Sequence, residues 1–226
     1  MADRQYVSTA REKMKKILLL LIVFLVMVIG AHVSQAENSV SDLAYRALKA
    51  GDYKTALRHI SFLAVNGDTK AQYNMGVFYR DGIEVDKDDV EALHWFLKAA
   101  HGGNILAHYA AGRAFYEGRG SSPDMHAARY HFIEAALSGH ATAPLYVGRL
   151  FFLGEGVVQN YPRAYFWWDL ARDRNAGAAN ENLASLTKDM SKEDIEEAHE
   201  LIARCSRMTL RQCLPTLVPN GNAMPL

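Results

Sequence analysis

Small residues return along this chain at a fixed step of 36 positions, and such a step restricts the fold to stacked copies of one small unit. Ala71, Ala107 and Ala143 form one set, Gly76, Gly112 and Gly148 a second, and Gly82, Gly118 and Gly154 a third. Ala92, Ala128 and Ala164 follow, then Ala99, Ala135 and Ala171, while Gly67, Gly103 and Gly139 punctuate the ends. Large residues keep the same step, as in Tyr79, Phe115 and Phe151, and in Phe96, Phe132 and Trp168.

Each unit reads as two helices. Residues 69–81 place Ala71, Met75, Gly76 and Tyr79 on one packing face. Gly82 then stops the helix, as a residue free to take positive φ commonly does. Asp88, with Glu91 three positions on, has the pattern of a capping box. The helix it starts turns Ala92, Trp95, Phe96, Ala99 and Ala100 toward its partner and ends at Gly103; Asp124 and Asn160 take the capping position in the next two units. Gly76 and Ala92, with their counterparts, let the two helices approach closely, and the aromatic residues are expected to fill the wider gaps between layers. One pair cannot bury its apolar face alone, so neighbouring pairs must stack.

The same step sets the domain bounds. Asp52 and Ala56 lie one step before Asp88 and Ala92, so 37–66 is expected to hold a degenerate helix pair ahead of three clear repeats in 67–175. Ala179 matches Ala143, which makes 177–188 the next first helix. Ser191 is expected to cap a helix running to about Arg207, with Glu193, Glu196, Glu197 and Glu200 outward, so that 176–207 closes the stack. Residues 208–226, with Asn220-Gly221 and little periodicity, are expected to be an irregular tail.

The N-terminus reads as a targeting segment. Lys13, Lys15 and Lys16 precede an unbroken apolar run from Ile17 to Ile29, and Ser34-Gln35-Ala36 suits signal peptidase. The run is short for a membrane span, which needs about 20 residues, so a cleaved signal over 1–36 fits better than an uncleaved anchor. Met14 begins a more conventional signal and marks an alternative start. Export to the periplasm, or secretion, follows from this reading. The two cysteines, Cys205 and Cys213, favour a disulfide in an oxidising compartment; two isolated thiols or half of a metal site are the alternatives. Lys and Arg number 25 and so do Asp and Glu, which leaves no basic excess of the kind that nucleic-acid binding needs.

Ala71-Gln72-Tyr73-Asn74-Met75-Gly76, then Tyr79 and Gly82, and Ala92-Leu93-His94-Trp95-Phe96 with Ala99, Ala100 and Gly103, resemble the Sel1-like repeat, a branch of the tetratricopeptide (TPR) superfamily. The resemblance is strong over 67–175, weaker over 41–66 and 176–204, and absent from the signal and tail. Glu84 departs from the pattern where Gly120 and Gly156 stand in the later loops, and Arg172 departs where Ala100 and Ala136 stand. The resemblance implies a right-handed α-solenoid of stacked antiparallel helix pairs acting as an adaptor or scaffold for another protein. Exported bacterial members of the family have signal peptides, and some act in the cell envelope. Cysteine-rich relatives linked to penicillin binding or β-lactam hydrolysis carry a cysteine pair in each unit. The repeats here carry none.

In stacked helix pairs the first helices line the concave surface. Their side chains that turn from the core form three rows: Tyr73–Tyr109–Leu145, Val77–Arg113–Arg149 and Arg80–Tyr116–Phe152. Tyrosine and arginine are enriched at binding hot spots, so these rows are the expected contact surface for an extended or helical segment of a partner, with Arg113 and Arg149 able to take carboxylates. The competing reading has the aromatics packing between repeats. No catalytic residue, cofactor or metal is assigned. The histidines have no H-E-x-x-H spacing, Gly118-Arg119-Gly120-Ser121 lacks the lysine of a phosphate loop, and His131 stands in the ladder position of Trp95 and Trp167 as a packing residue. An enzyme acting on β-lactam or cell-wall substrates, and an envelope component using its convex face, remain as alternatives.

Overall fold

The structure, a computed structural model, describes residues 40–218 together with 16, 22–25 and 27. The cleavage point, most of the 1–36 signal and the last residues of the tail lie outside the described residues. Within the described residues no helix is long and apolar enough to cross a membrane, and no strand occurs.

The chain divides into two units at residue 63. In the first, residues 40–50 are helical (α1), and Gly51 turns the chain into α2 (Tyr53–Val65). Asp52 accepts from the Thr55 N–H at 3.1 Å, as expected of a degenerate copy of the Asp88 cap. Among the described residues, Ala44, Ala47, Ala56, Ile60 and Leu63 are its buried ones.

The second unit is an all-α solenoid of successive helix pairs. The pairs are α3 (Thr69–Asp81) with α4 (Asp89–His101), α5 (Ile105–Glu117) with α6 (Met125–Leu137), and α7 (Ala143–Leu153) with α8 (Tyr161–Asp173). After them come α9 (Ala179–Asp189), α10 (Lys192–Cys205) and α11 (Leu210–Leu217). The step of 36 persists in the backbone bonds themselves: the N–H groups of Asp88, Asp124 and Asn160 donate to the carbonyls of Tyr79, Phe115 and Phe151 at 2.9, 3.0 and 2.9 Å. Gly82, Gly118 and Gly154 end the first helices at φ 67, 68 and 72°. Asp88, Asp124 and Asn160 cap the second helices with their side chains. Glu84, which breaks the glycine pattern, still takes φ 56°, so the loop keeps its path with a residue poorly suited to it.

A first-helix glycine faces an aromatic ring in every pair. A Cβ on Gly76 would stand 2.5 Å from Phe96, one on Gly112 2.8 Å from Phe132, and one on Gly148 2.5 Å from Trp168. These rings therefore sit inside the pair, over the missing side chain, and not in gaps between layers as the sequence had suggested. A second difference concerns the core. Phe78, Ala114 and Leu150 are buried, whereas Tyr79 and Phe115 are only partly so. A first helix meets its own partner and the neighbouring pair, so its apolar stripe is wider than one face.

The first helices have a ladder of caps as well. Asp68 accepts from Ala71 N–H at 2.7 Å and Asn104 from Ala107 N–H at 3.0 Å. One step on, His140 Nδ1 accepts from the N–H groups of Thr142 and Ala143, each at 3.2 Å, just ahead of α7. That bond needs a neutral ring, and burial, then the Arg174 charge, hold His140 below the ordinary histidine pKa. Arg174 ties the same junction by donating through Nη1 to the carbonyls of Ala136 (2.8 Å) and His140 (3.1 Å). Arg172, expected at a tight helix contact, is exposed and pairs with Asp169 at 2.6 Å.

The tail departs from expectation. Residues 210–217 are helical because Thr209 and Gln212 form a capping box and because the disulfide Cys205–Cys213 ties α11 to α10, with Cα atoms 5.4 Å apart. Cys213 and Leu217 are fully buried, and Arg211 pairs with Glu134 of α6 at 3.1 Å.

His131 of α6 is buried at 2 % exposure, stacked on Phe115, with its Nδ1 3.1 Å from His108 Nδ1. One ring donates and the other accepts, so the accepting ring is neutral, and burial lowers the pKa of both. Burial, then the neighbouring His108, pushes His131 down to about 3.

Two outcomes are expected. Gly112→Ala forces the Phe132 ring aside and lowers stability by about 1–3 kcal/mol in chemical denaturation, whereas Gly139→Ala, with open space around it, meets only the strain of its left-handed backbone. Because the folded pKa of His131 lies below its unfolded value, its contribution is fully present above pH 6.5 and is lost as pH falls toward 3. Between pH 7.5 and 5 that amounts to about 2 kcal/mol. Stability against pH should therefore be flatter over this range for His131→Phe than for the wild type.

Candidate partner-binding groove

The first helices α3, α5, α7 and α9 present the face on which the three rows were placed. Two hollows open on it. One, of about 250 Å³, lies between α3 and α5 with Ala92, Leu93 and Phe96 of α4 at its base. Tyr73, Arg80, Tyr109 and Arg113 line it, together with Asp89, Ala110 and Arg119. The other, of about 480 Å³, lies between α7 and the start of α9 with Trp168 at its base. Leu145, Arg149 and Phe152 line it, with Thr142, Leu153 and Asn182 around them. Val77 and Tyr116 line neither. Val77 packs against the cluster of Ala92, Leu93, Phe96, Ala111 and Ala114, and Tyr116 packs against Phe132 and Tyr146.

Between the hollows the face is filled. Tyr146 stacks on Phe132 with ring centres 4.6 Å apart, and Tyr109 stacks on His140 at 4.2 Å. The Tyr109 hydroxyl is held above its ordinary pKa by burial and by its hydrogen bond with Tyr146. Tyr146 occupies the ladder position of Ala110, which lines the first hollow, and of Asn182, which lines the second together with Tyr146 itself. The Tyr146 ring packs on Tyr109, Tyr116 and Phe132 and so occupies the place between α5 and α7. The sequence rows passed over 110, 146 and 182, although the uneven size of that ladder was its visible signal.

Charges on this face are mostly spoken for. Arg80 donates to both carboxylate oxygens of Asp81 at 2.7 Å. Arg113 donates to Glu117 Oε1 from Nε at 2.9 Å and from Nη2 at 2.5 Å, and Arg119 grips the other oxygen. Burial works against the Glu117 charge, but the two arginines hold its pKa below the usual range. Arg149 lies over the Tyr116 ring, its guanidinium carbon 5.7 Å from the centre. Burial raises the pKa of the Tyr116 hydroxyl, which has Arg149 and Glu155 as neighbours. Among the described residues no three His, Cys, Asp or Glu side chains converge as metal ligands.

The Sel1 repeat profile matches residues 69–104, 105–140 and 144–175, in step with the three helix pairs. A Sel1 repeat protein from Oxalobacter formigenes, known from its crystal structure, is similar at 29% identity with a TM-score of 0.59, over 62% of this chain and 58% of that one. A protective antigen present in uropathogenic Escherichia coli strains, displaying an SLR fold, shares the architecture at 23% identity and a TM-score of 0.62, over 76% of this chain and 37% of that one. The chain thus spans less than two thirds of either solved relative. No curated protein matches it. Three matched repeats, in register with three helix pairs of the same architecture as solved Sel1 proteins, show that residues 69–104, 105–140 and 144–175 are Sel1 repeats, of the TPR-like superfamily.

Proposed function

We propose that the protein is an exported, non-catalytic scaffold of the bacterial cell envelope, holding a segment of a partner protein along the face of its first helices. Sel1-repeat proteins are generally protein-interaction scaffolds, which supports the class of function. The observation that carries the specific reading is the placement of the rows: Tyr73, Arg80, Tyr109 and Arg113 line one hollow, and Leu145, Arg149 and Phe152 line the other. Hollows floored by apolar side chains and rimmed by arginine and tyrosine suit anchor residues of a partner. Export is supported by the lysines before the Ile17–Ile29 run and by a disulfide that persists only in an oxidising compartment.

Two measurements test this. The N-terminus of the protein recovered from cells should be Glu37, read by mass spectrometry; recovery of the uncleaved chain would refute the signal. Crosslinking in living cells should lose one partner selectively in an Arg113→Glu, Arg149→Glu variant that keeps the wild-type circular dichroism and melting. An unchanged set of crosslinks would move the working surface to the second helices, the loops or α11.

A further inference from the structure

The arginines on the groove face are not equivalent. Arg80, Arg113 and Arg119, around the first hollow, are each closed on a carboxylate of the chain itself. Arg149 is exposed and, among the described residues, has no carboxylate within ion-pair distance. Its supports are the Tyr116 ring beneath it and the Tyr116 hydroxyl, which in turn meets Glu155. These contacts orient the guanidinium without a direct ion pair.

Beside it the second hollow is apolar at the base. The Trp168 ring forms the floor, and its only polar atom is satisfied, since Nε1 donates to the Leu145 carbonyl at 2.9 Å. Leu145 and Phe152 flank the ring. The volume of about 480 Å³ admits one large side chain with room for the backbone that carries it. A guanidinium with no carboxylate within ion-pair distance, at the rim of an apolar recess, is complementary to a carboxylate one step along the chain from an apolar side chain. A lysine or arginine in that position meets like charge instead.

We propose that the second hollow binds an internal, extended segment of a partner protein in which Asp or Glu adjoins Leu, Ile, Met or Phe. The apolar side chain fills the hollow over Trp168, and the neighbouring carboxylate takes the Arg149 fork. The segment is internal because the first hollow lies on the same face, so a chain lying there continues past the site. This assignment rests on the groove reading above.

The test is selection of binders from a random-peptide display library on the purified chain, followed by fluorescence anisotropy with synthetic peptides. The expected selection is enriched for an acidic residue beside a large apolar one. Replacing that Asp by Asn weakens binding about 10- to 100-fold, and replacing it by Lys weakens binding further. Arg149→Met produces the same loss for the acidic peptide and no added loss for the Asn peptide, the coupling expected of a direct pair. Arg149→Glu turns the preference toward the Lys peptide. If Arg149→Met proves unstable, the Asp, Asn and Lys peptides against the wild type decide the question alone. Peptides that lose binding in a Trp168→Ala or Tyr109→Ala chain but show no acidic preference overturn this inference and leave the groove reading standing. Binders unaffected by any groove substitution, or none at all, overturn both.

Discussion

Within each helix pair an aromatic ring rests on a glycine, and the rest of the molecule depends on that fit. Phe96 on Gly76, Phe132 on Gly112 and Trp168 on Gly148 set how near the second helix stands to the first. The ring that closes the pair on one side is also the floor of the groove on the other: Phe96 lies under the first hollow, and Trp168 under the second. Interiors packed to crystal density do not allow such a contact to be altered at one repeat alone without shifting its neighbours. Stability and the shape of the proposed binding face are thus carried by the same atoms.

Around this fixed scaffold, electrostatics varies from repeat to repeat. The first hollow gathers arginines and then answers them from within the chain, through Asp81 and Glu117. The second presents one arginine held by an aromatic ring. Exposed ion pairs contribute little to stability, so the Asp81 and Glu117 contacts matter more for removing charge from the first hollow than for holding the fold. In the proposed binding mode, selectivity comes from which cation stays open.

The repeat architecture was legible because its signal is redundant. Ala71, Gly76, Gly82 and Ala92 each recur twice, and each recurrence constrains the same helix pair. Where a single residue carries the outcome, the sequence was mute. Asn175 takes φ 59° in the ladder place of Gly67, Gly103 and Gly139, and His140 caps a helix where Asp68 and Asn104 announce caps by their residue type. Neither is visible without the bonds it makes. The tail read as irregular from Asn220-Gly221 and its weak periodicity, although Thr209 and Gln212 have the spacing of a capping box and the expected disulfide ties 210–217 to α10. The binding rows were placed by spacing alone, which located Arg149 but did not distinguish it from Arg113, since the Glu117 contact depends on rotamers.

Tyr146, the side chain that fills the middle of the face, has a consequence for affinity. It leaves two recesses two repeats apart, a separation of roughly 20 Å if neighbouring first helices stand about 10 Å apart. A ligand long enough to reach both gains the second contact as an intramolecular event, at an effective concentration set by the stretch of chain between its anchors. Each recess alone can then be weak, and the spacing of two anchors along a partner becomes the quantity that is measured, with the solenoid acting as a ruler graduated in helix pairs.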